Sequence, residues 1–465
     1  MDTHDLLEKD QSKNAPQQDV FKVTPELVEE ISHALGENDS EQLEYLLEPL
    51  HSADVADIFE QLTGAERGAL ATYFGSDMDP VVLAELEDTA LDQVIREMDD
   101  QDVVDAISQL ESDDAVGILE DISAEDRDRI IAAMPKEERL AVEEGLSYAE
   151  DSAGRLLQKK IITVPGIWTV GQVIKFLRSE EELPVEFYEI FIVDPLHHPI
   201  GTVSLSQLIR TKDEIPVSEI MDTDPKVIPV DKDQEEAAYM FRQYDLTSMG
   251  VVDKSGRLIG VITVDDIVDV IDEEAEEDIL RMAGVQETDI TETVLEASKN
   301  RIVWLTINLG TAILASVVIA FFDGTIEQMV ALAILMPIVA SMGGNAATQT
   351  MTVTVRSLAT KDLTSSNVRR VIGKEFVIAV LNGVAMAVII GVLSYAYFNN
   401  PLLGGVIAVA MIINMIMAGL AGILIPVGLE KINIDPALAS SIFVTTITDV
   451  VGFFAFLGLA SVFLM

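Results

Sequence analysis

The chain has 465 residues, 79 Asp and Glu against 30 Lys and Arg, and a formal charge of −49 at pH 7. Such acidity speaks against nucleic acid and anionic lipid headgroups as partners and for cations, with a plainly solvated acidic surface as the competing reading of most of the charge. No cysteine is present, which removes disulfides and thiolate metal sites, and all five histidines (His4, His33, His51, His197, His198) precede residue 300. From Asn300 onward seven acids (Asp323, Glu327, Asp362, Glu375, Glu430, Asp435, Asp449) face seven bases (Arg301, Arg356, Lys361, Arg369, Arg370, Lys374, Lys431), so the whole −49 lies in the first 299 residues. A neutral, apolar half is joined to a strongly acidic one. The first residues, 1–19, are polar and read as a disordered start without a signal peptide, which places the acidic half in the cytoplasm.

Residues 20–155 carry short helical patterns that recur: DVADIFEQL from Asp54, DVVDAISQL from Asp102 and DAVGILEDI from Asp114. Each sets an Asp ahead of apolar residues at helical spacing, which suits helix N-termini, where carboxylates meet free N–H groups and the positive end of the dipole. This predicts an all-α superhelical domain with nothing catalytic in it.

Over residues 156–272 two segments match at an offset of 59. IVDPLHHPIGTVSLSQLI from Ile192 aligns with VVDKSGRLIGVITVDDIV from Val251, with Asp194/Asp253 and Gly201/Gly260 coincident. Each reads as strand, turn, strand, helix. Together with the helices VGQVIKFLRS and QEEAAYMFRQYD and the ITV and VIPV strands, the unit resembles a tandem CBS pair. That resemblance implies adenine-nucleotide binding, ATP included, through a Ser or Thr and an Asp after the second strand. The second copy keeps this pattern as Thr263 and Asp266, whereas the first has Ser204 but Gln207 where the acid belongs. One nucleotide site at most is implied, and a purely structural pair is the alternative.

Residues 273–299 read as a connecting helix running straight out of the second copy, with acids from Asp266 and Asp269 to Glu276 and Glu277 recurring at i+3 and i+4 on one face. Like charges at that spacing repel by a few tenths of a kcal/mol per pair. A divalent cation would relieve this, and so would solvation.

Residues 300–465 contain five spans, about 301–322, 326–352, 371–398, 402–428 and 438–465, each long enough to cross about 30 Å of hydrocarbon. The basic residues 356–374 and Lys431, with Lys299 and Arg301, mark three cytoplasmic edges and put the C-terminus outside. In the last span a single carboxylate, Asp449, follows Thr445, Thr446 and Thr448. A charge at that depth costs roughly 2.5–3.5 kcal/mol and normally faces a wet path, the other reading being a polar tie between helices. Span two, LMPIVASMGGNAATQTMTVTV, brings Pro337, Gly343, Gly344 and Asn345 to membrane depth and reads as a broken helix beside a water-filled path, or as a kinked packing helix. No GxxxxGK[ST] phosphate loop is present, so transport driven by the chain's own ATP hydrolysis is not expected, and nothing points to an enzyme.

The order of these parts, with the strings YAEDSAG from Tyr148, MPIVASMGGNAATQ from Met336 and DPALASSIFVTTITDVVGFF from Asp435, resembles the MgtE family of magnesium transporters. One departure follows YAEDSAG, where Arg155, Leu156 and Leu157 replace the family's second Gly and Leu-Met or Ile-Met pair. The resemblance implies a homodimer in the cell (inner) membrane, with a pore on the two-fold axis and Mg2+ held by Asp449 with Thr445 and Asn345 nearby. It also implies that the connecting helix acts as a gating plug and that cytosolic Mg2+ is sensed at Asp266, Asp269, Glu274, Glu277, Asp435 and, in the helical repeat, Asp114. Two other functions stay open at this stage: transport of cobalt or manganese, and a membrane-anchored nucleotide sensor without transport.

Overall fold

Caps of the expected kind divide the N-terminal region into short helices. The computed structural model describes residues 23–180, 183–184, 187–284, 294–432 and 434–465. The expected disordered start, 1–19, and stretch 285–293 of the expected connecting helix lie outside the described residues. The chain divides into two units, the first reaching Ile267 and the second starting at Val268.

In the first unit ten α-helices run from α1 (Pro25–Glu37) to α10 (Lys136–Leu146) among the described residues. Thr24 caps α1 by accepting from the Leu27 N–H, with Pro25 at the first helical position. Asp54, expected to lead a helix, sits within its first turn and accepts from the His51 N–H at 3.0 Å. Asp102 and Asp114 also lie in first turns. The apolar stripes meet in one continuous core that includes Ile31, Phe59, Leu70, Leu91, Ile107 and Leu119.

The duplicated module forms two sheets of the same topology. In the first, β1 (Thr163–Pro165) pairs in parallel with β2 (Glu189–Val193), which pairs antiparallel with β3 (Pro199–Ser204). In the second, β4 (Val227–Pro229), β5 (Ser248–Val252) and β6 (Leu258–Thr263) repeat the arrangement. The helices expected in each copy are α11 (Val170–Ser179) and α13 (Gln234–Tyr244), with α12 (Leu205–Arg210) following β3. The paired glycines have a common reason. A Cβ on Gly201 would lie 2.5 Å from the Asp222 carbonyl, and one on Gly260 would lie 2.5 Å from that of Gln158. At both places another extended segment crosses the outer strand: Thr202 exchanges backbone hydrogen bonds with Asp222, and Val261 with Gln158.

The acidic helix α14 (Val264–Ala283) runs straight out of β6 and stops at Gly284, whose φ of +73° is the left-handed conformation that ends a helix. Among the described residues of the second unit, five helices are long and apolar enough to span a membrane: α15 (Val294–Ala320), α17 (Ala331–Ala359), α18 (Val368–Phe398), α19 (Pro401–Glu430) and α20 (Pro436–Phe463). A short α16 (Asp323–Gln328) precedes α17, so the second span begins later than the expected residue 326. Nor is that span broken. It stays helical through Pro337, Gly343 and Gly344, because packing against α19 and α20 on the buried face outweighs the one hydrogen bond lost at proline. The centre of this unit is α19, on which Ile407, Ala410, Asn414, Ala418 and Ile423 are all fully buried. By contrast α15 leaves Ile302, Leu305, Leu309 and Ile313 exposed, as a lipid-facing helix or one that meets another subunit does.

Candidate ion path and acidic sites

Asp449 stands at the midpoint of the 28-residue α20 and is half-buried. The helix bearing it is capped by Asp435, whose Oδ1 accepts from the Ala437 N–H at 2.7 Å, with Pro436 at the first helical position. The hydroxyls ahead of Asp449 are engaged with their own helix. Thr445 Oγ1 donates to the Ser441 carbonyl at 2.8 Å, Thr446 Oγ1 to that of Ile442 at 2.6 Å, and Thr448 Oγ1 to that of Thr445 at 2.9 Å. These bonds leave hydroxyl oxygen lone pairs, not protons, to face a cation. Asn345 lies on α17, which packs along α20 through Ala347, Met351 and Val444, but its own side chain is exposed on the single chain.

The second unit also holds an acidic cluster where the late part of α14 meets the cap of α20. Arg281 Nη1 donates to Asp435 Oδ2 at 2.6 Å, and Arg281 also pairs with Glu277. Beside them, burial together with Asp435 and Glu274 pushes the Asp278 carboxyl up to about 6. Glu274 is half-buried and Asp269 exposed. Glu277 and Asp435, both expected sensing residues, are thus brought together around one guanidinium. Arg281 and Asp278 were not anticipated, although a lone base in so acidic a run is a visible signal.

The first unit holds another cluster, where α8 (Ser112–Asp121) docks on the strand-like segment Leu157–Lys159. Ser112 Oγ donates to the Leu157 carbonyl at 2.8 Å and accepts from the Lys159 N–H at 3.0 Å. This docking buries Asp113, the neighbour of the expected Asp114, and among the described residues neither of its carboxylate oxygens has a hydrogen-bond partner. Burial first, then the charges of Asp266 and Asp114, pushes the Asp113 carboxyl well above the usual carboxylate range. Asp266 itself accepts from Thr263 Oγ1 at 2.7 Å and Gln158 Nε2 at 3.2 Å, and burial still pushes it up to about 6. Two acids held close together, with hydrogen-bond donors on Asp266 and none on Asp113, would be relieved by a cation. Among the described residues no three His, Cys, Asp or Glu side chains converge on one metal position.

Thr263 and Asp266, the expected nucleotide ligands, are therefore bonded to each other. Thr263 nevertheless lines a shallow cleft together with Gln158, Lys160, Phe187, Tyr188 and Ser248. The Ser248 hydroxyl is buried there without a partner among the described residues. In the first copy the equivalent polar groups are occupied, with Ser204 Oγ capping α12 and Gln207 Nε2 donating to the Ile220 carbonyl at 2.6 Å.

Comparison with known proteins gives a consistent assignment. A family model described as a divalent cation transporter, MgtE, matches residues 336–459. A model of the MgtE intracellular N domain matches 50–151, and a CBS domain model matches 217–273. The chain is 30% identical over 422 residues to magnesium transporter MgtE of Bacillus subtilis, covering 90% of this chain and 93% of that one. It is 33% identical over 445 residues to magnesium transporter MgtE of Thermus thermophilus, covering 93% and 98%. A solved cytosolic domain of the Mg2+ channel MgtE in complex with ATP is 30% identical, covers 52% of this chain and 99% of that one, and superposes with a TM-score of 0.49. Identity along nearly the full length, in the order helical domain, CBS module and five spans, settles the affiliation: the chain belongs to the MgtE family of divalent cation transporters.

Proposed function

We propose that the chain is a magnesium channel of the cell membrane, working as a homodimer and closed by cytosolic Mg2+. The observation that carries this reading is Asp449, a lone half-buried carboxylate at the midpoint of an apolar spanning helix. Two copies of it on a two-fold axis, with Thr445 and Asn345 at the margin, attract a divalent ion strongly. Magnesium dehydrates reluctantly, so such a pair holds the hydrated ion through its waters and lets it leave again. The basic residues between spans two and three, and Lys431, support cytoplasmic acidic domains and an external C-terminus.

Closure follows from differential binding. Cytosolic Mg2+ at Asp113, Asp114 and Asp266, and around Asp269, Glu274, Glu277 and Asp435, favours whichever arrangement brings those acids together, and its loss lets them repel. The domain divisions 20–155, 156–272 and 273–299 are the regulatory parts in this scheme, and 300–465 the conducting part.

The second CBS copy adds a nucleotide-binding role. In its cleft the unpartnered Ser248 hydroxyl, beside Thr263 and Lys160, fits a ligand with hydrogen-bonding groups. For ATP, Phe187 and Tyr188 would flank the base, Ser248 and Thr263 would meet the sugar, and Lys160 would meet the phosphates. The bound nucleotide would supply only binding energy to bias the module.

The deciding experiment is divalent-ion flux into proteoliposomes, wild type beside Asp449→Ala, with Mg2+ varied on the cytoplasmic side. Flux that requires Asp449 and falls as that Mg2+ rises supports the proposal. A preference for Co2+ or Mn2+ would change the substrate, and nucleotide binding without flux would leave only a sensor.

A further inference from the structure

Asn414 is fully buried at the centre of the membrane unit, among Met411, Met415 and other apolar residues of α19. Its Nδ2 donates to the Val339 carbonyl of α17 at 2.8 Å, and its Oδ1 has no partner among the described residues. Two glycines on different helices make room for this amide. A Cβ on Gly343 of α17 would lie 2.2 Å from Nδ2 and 3.1 Å from Oδ1; a Cβ on Gly452 of α20 would lie 2.8 Å and 3.1 Å from the same atoms. The amide is therefore wedged between α17 and α20, and at both contacts only a glycine fits.

This arrangement does not serve stability, since a buried amide with its carbonyl oxygen unpaired is less favourable than a leucine filling the same space. Its position gives another reason. Gly452 follows Asp449 by three residues and so shares its face of α20. Val339 and Gly343 lie on α17 between Pro337 and Asn345. One polar side chain thus links the helix carrying the carboxylate to the segment carrying the other polar groups of the ion path.

We propose that Asn414 is a positioning residue of the ion path. Its amide fixes the separation of α17 and α20 beside Asp449 and thereby the distance at which the carboxylate meets a hydrated cation. The inference rests on the transport reading above and goes beyond it by naming a residue that need not touch the ion. A small change in that separation alters how a small, tightly hydrated Mg2+ is held relative to the larger Mn2+.

The test is flux of Mg2+ and of Mn2+ into proteoliposomes at varied concentration, for wild type and Asn414→Leu, alongside yield and thermal unfolding of the purified full chain in detergent. Leucine keeps the branched shape, with methyls in place of the amide groups, and removes the hydrogen bond. The expected result is a folded protein whose half-saturating Mg2+ rises about tenfold or more, as for residues that orient metal ligands, with a shifted Mg2+ to Mn2+ rate ratio. Half-saturation and ratio both within about twofold of wild type, below the tenfold effects that orienting residues produce, overturn the inference, even if the maximal rate falls with the amount of folded protein. Should Asn414→Leu not fold, Asn414→Ser, which cannot reach the Val339 carbonyl, is read by the same two quantities. Absence of wild-type flux would instead remove the transport reading and this inference with it, which distinguishes the two failures.

Discussion

The two halves of this chain use negative charge in opposite ways. In the acidic half carboxylates are everywhere and most face water, so a candidate site is set apart by burial, as Asp113 is. In the membrane half carboxylates are few, and one is marked simply by being there, as Asp449 is. Rarity identifies a residue in an apolar sequence without any structure; burial in a polar sequence needs the fold.

The sharpest way to break that comparison is Asp449→Asn. At an effective dielectric of about 20, each carboxylate near a divalent ion contributes several kcal/mol, so flux should drop on the order of a hundredfold or more at 1.4 kcal/mol per decade. Flux that survives would mean that rarity misled. Next in size is Asp113→Asn. Removing one of the paired buried acids should raise the cytosolic Mg2+ needed for half-inhibition by roughly 5–150-fold, the range of ordinary coupling energies. An unchanged inhibition curve would leave burial without functional meaning here.

A third prediction concerns pH. Burial pushes the Asp266 carboxyl up to about 6 in the folded chain against its ordinary 3.8, so the folded state binds protons more tightly than the unfolded state. Stability in EDTA is therefore lowest above about pH 6 and rises as pH falls through that value toward 4, by about 2–3 kcal/mol at 1.36 kcal/mol per unit. Thermal unfolding of the full chain in detergent at pH 7.5 and pH 5, one unit below the folded value, should show about 1–1.5 kcal/mol of this gain, and Asp266→Asn should remove that share of it.

A smaller effect separates the two acidic clusters. The cluster at Asp435 already holds a cation of its own in Arg281, and that ion pair is about one-third exposed. Arg281→Gln should cost no more than about 1 kcal/mol while tightening Mg2+ binding there, measurable as a left shift of protection from limited proteolysis. Last comes Asp57→Asn, exposed on the helical domain: stability should stay within about 0.5 kcal/mol and inhibition should not change. A clear effect at Asp57 would show that solvated acids also matter.

What could be read in advance divides along the same line. The five apolar spans, the duplicated module at an offset of 59 and Asp449 all rest on local pattern, and the chain shows it plainly. The family model for CBS matches only residues 217–273, yet self-comparison exposes the first copy, and the two sheets have one topology. The choice between Asp113 and Asp114 was not available, because a step of one residue turns a helix by about 100° and only the docking of α8 on Leu157–Lys159 fixes which side chain is enclosed. Arg281 and Asp435 are 154 residues apart in sequence, and no periodicity relates them. Asn414 reads as one polar letter in an apolar span until the glycines of two other helices are seen around it. The choice between a broken helix and a continuous one at Pro337 is not legible locally, because proline's cost is local while the packing that offsets it comes from α19 and α20.

The two sheets share one further detail: the pairing of β2 with β3 slips between Ile192 and Val193, and that of β5 with β6 slips between Val251 and Val252. These positions are 59 apart, the same offset that relates the two copies throughout. An irregularity that forgoes a ladder bond has little reason to arise twice at one register by separate routes. It is an heirloom, present in a single ancestral unit before that unit was doubled, and the Gln207 of one copy against the Asp266 of the other is what descent has since changed.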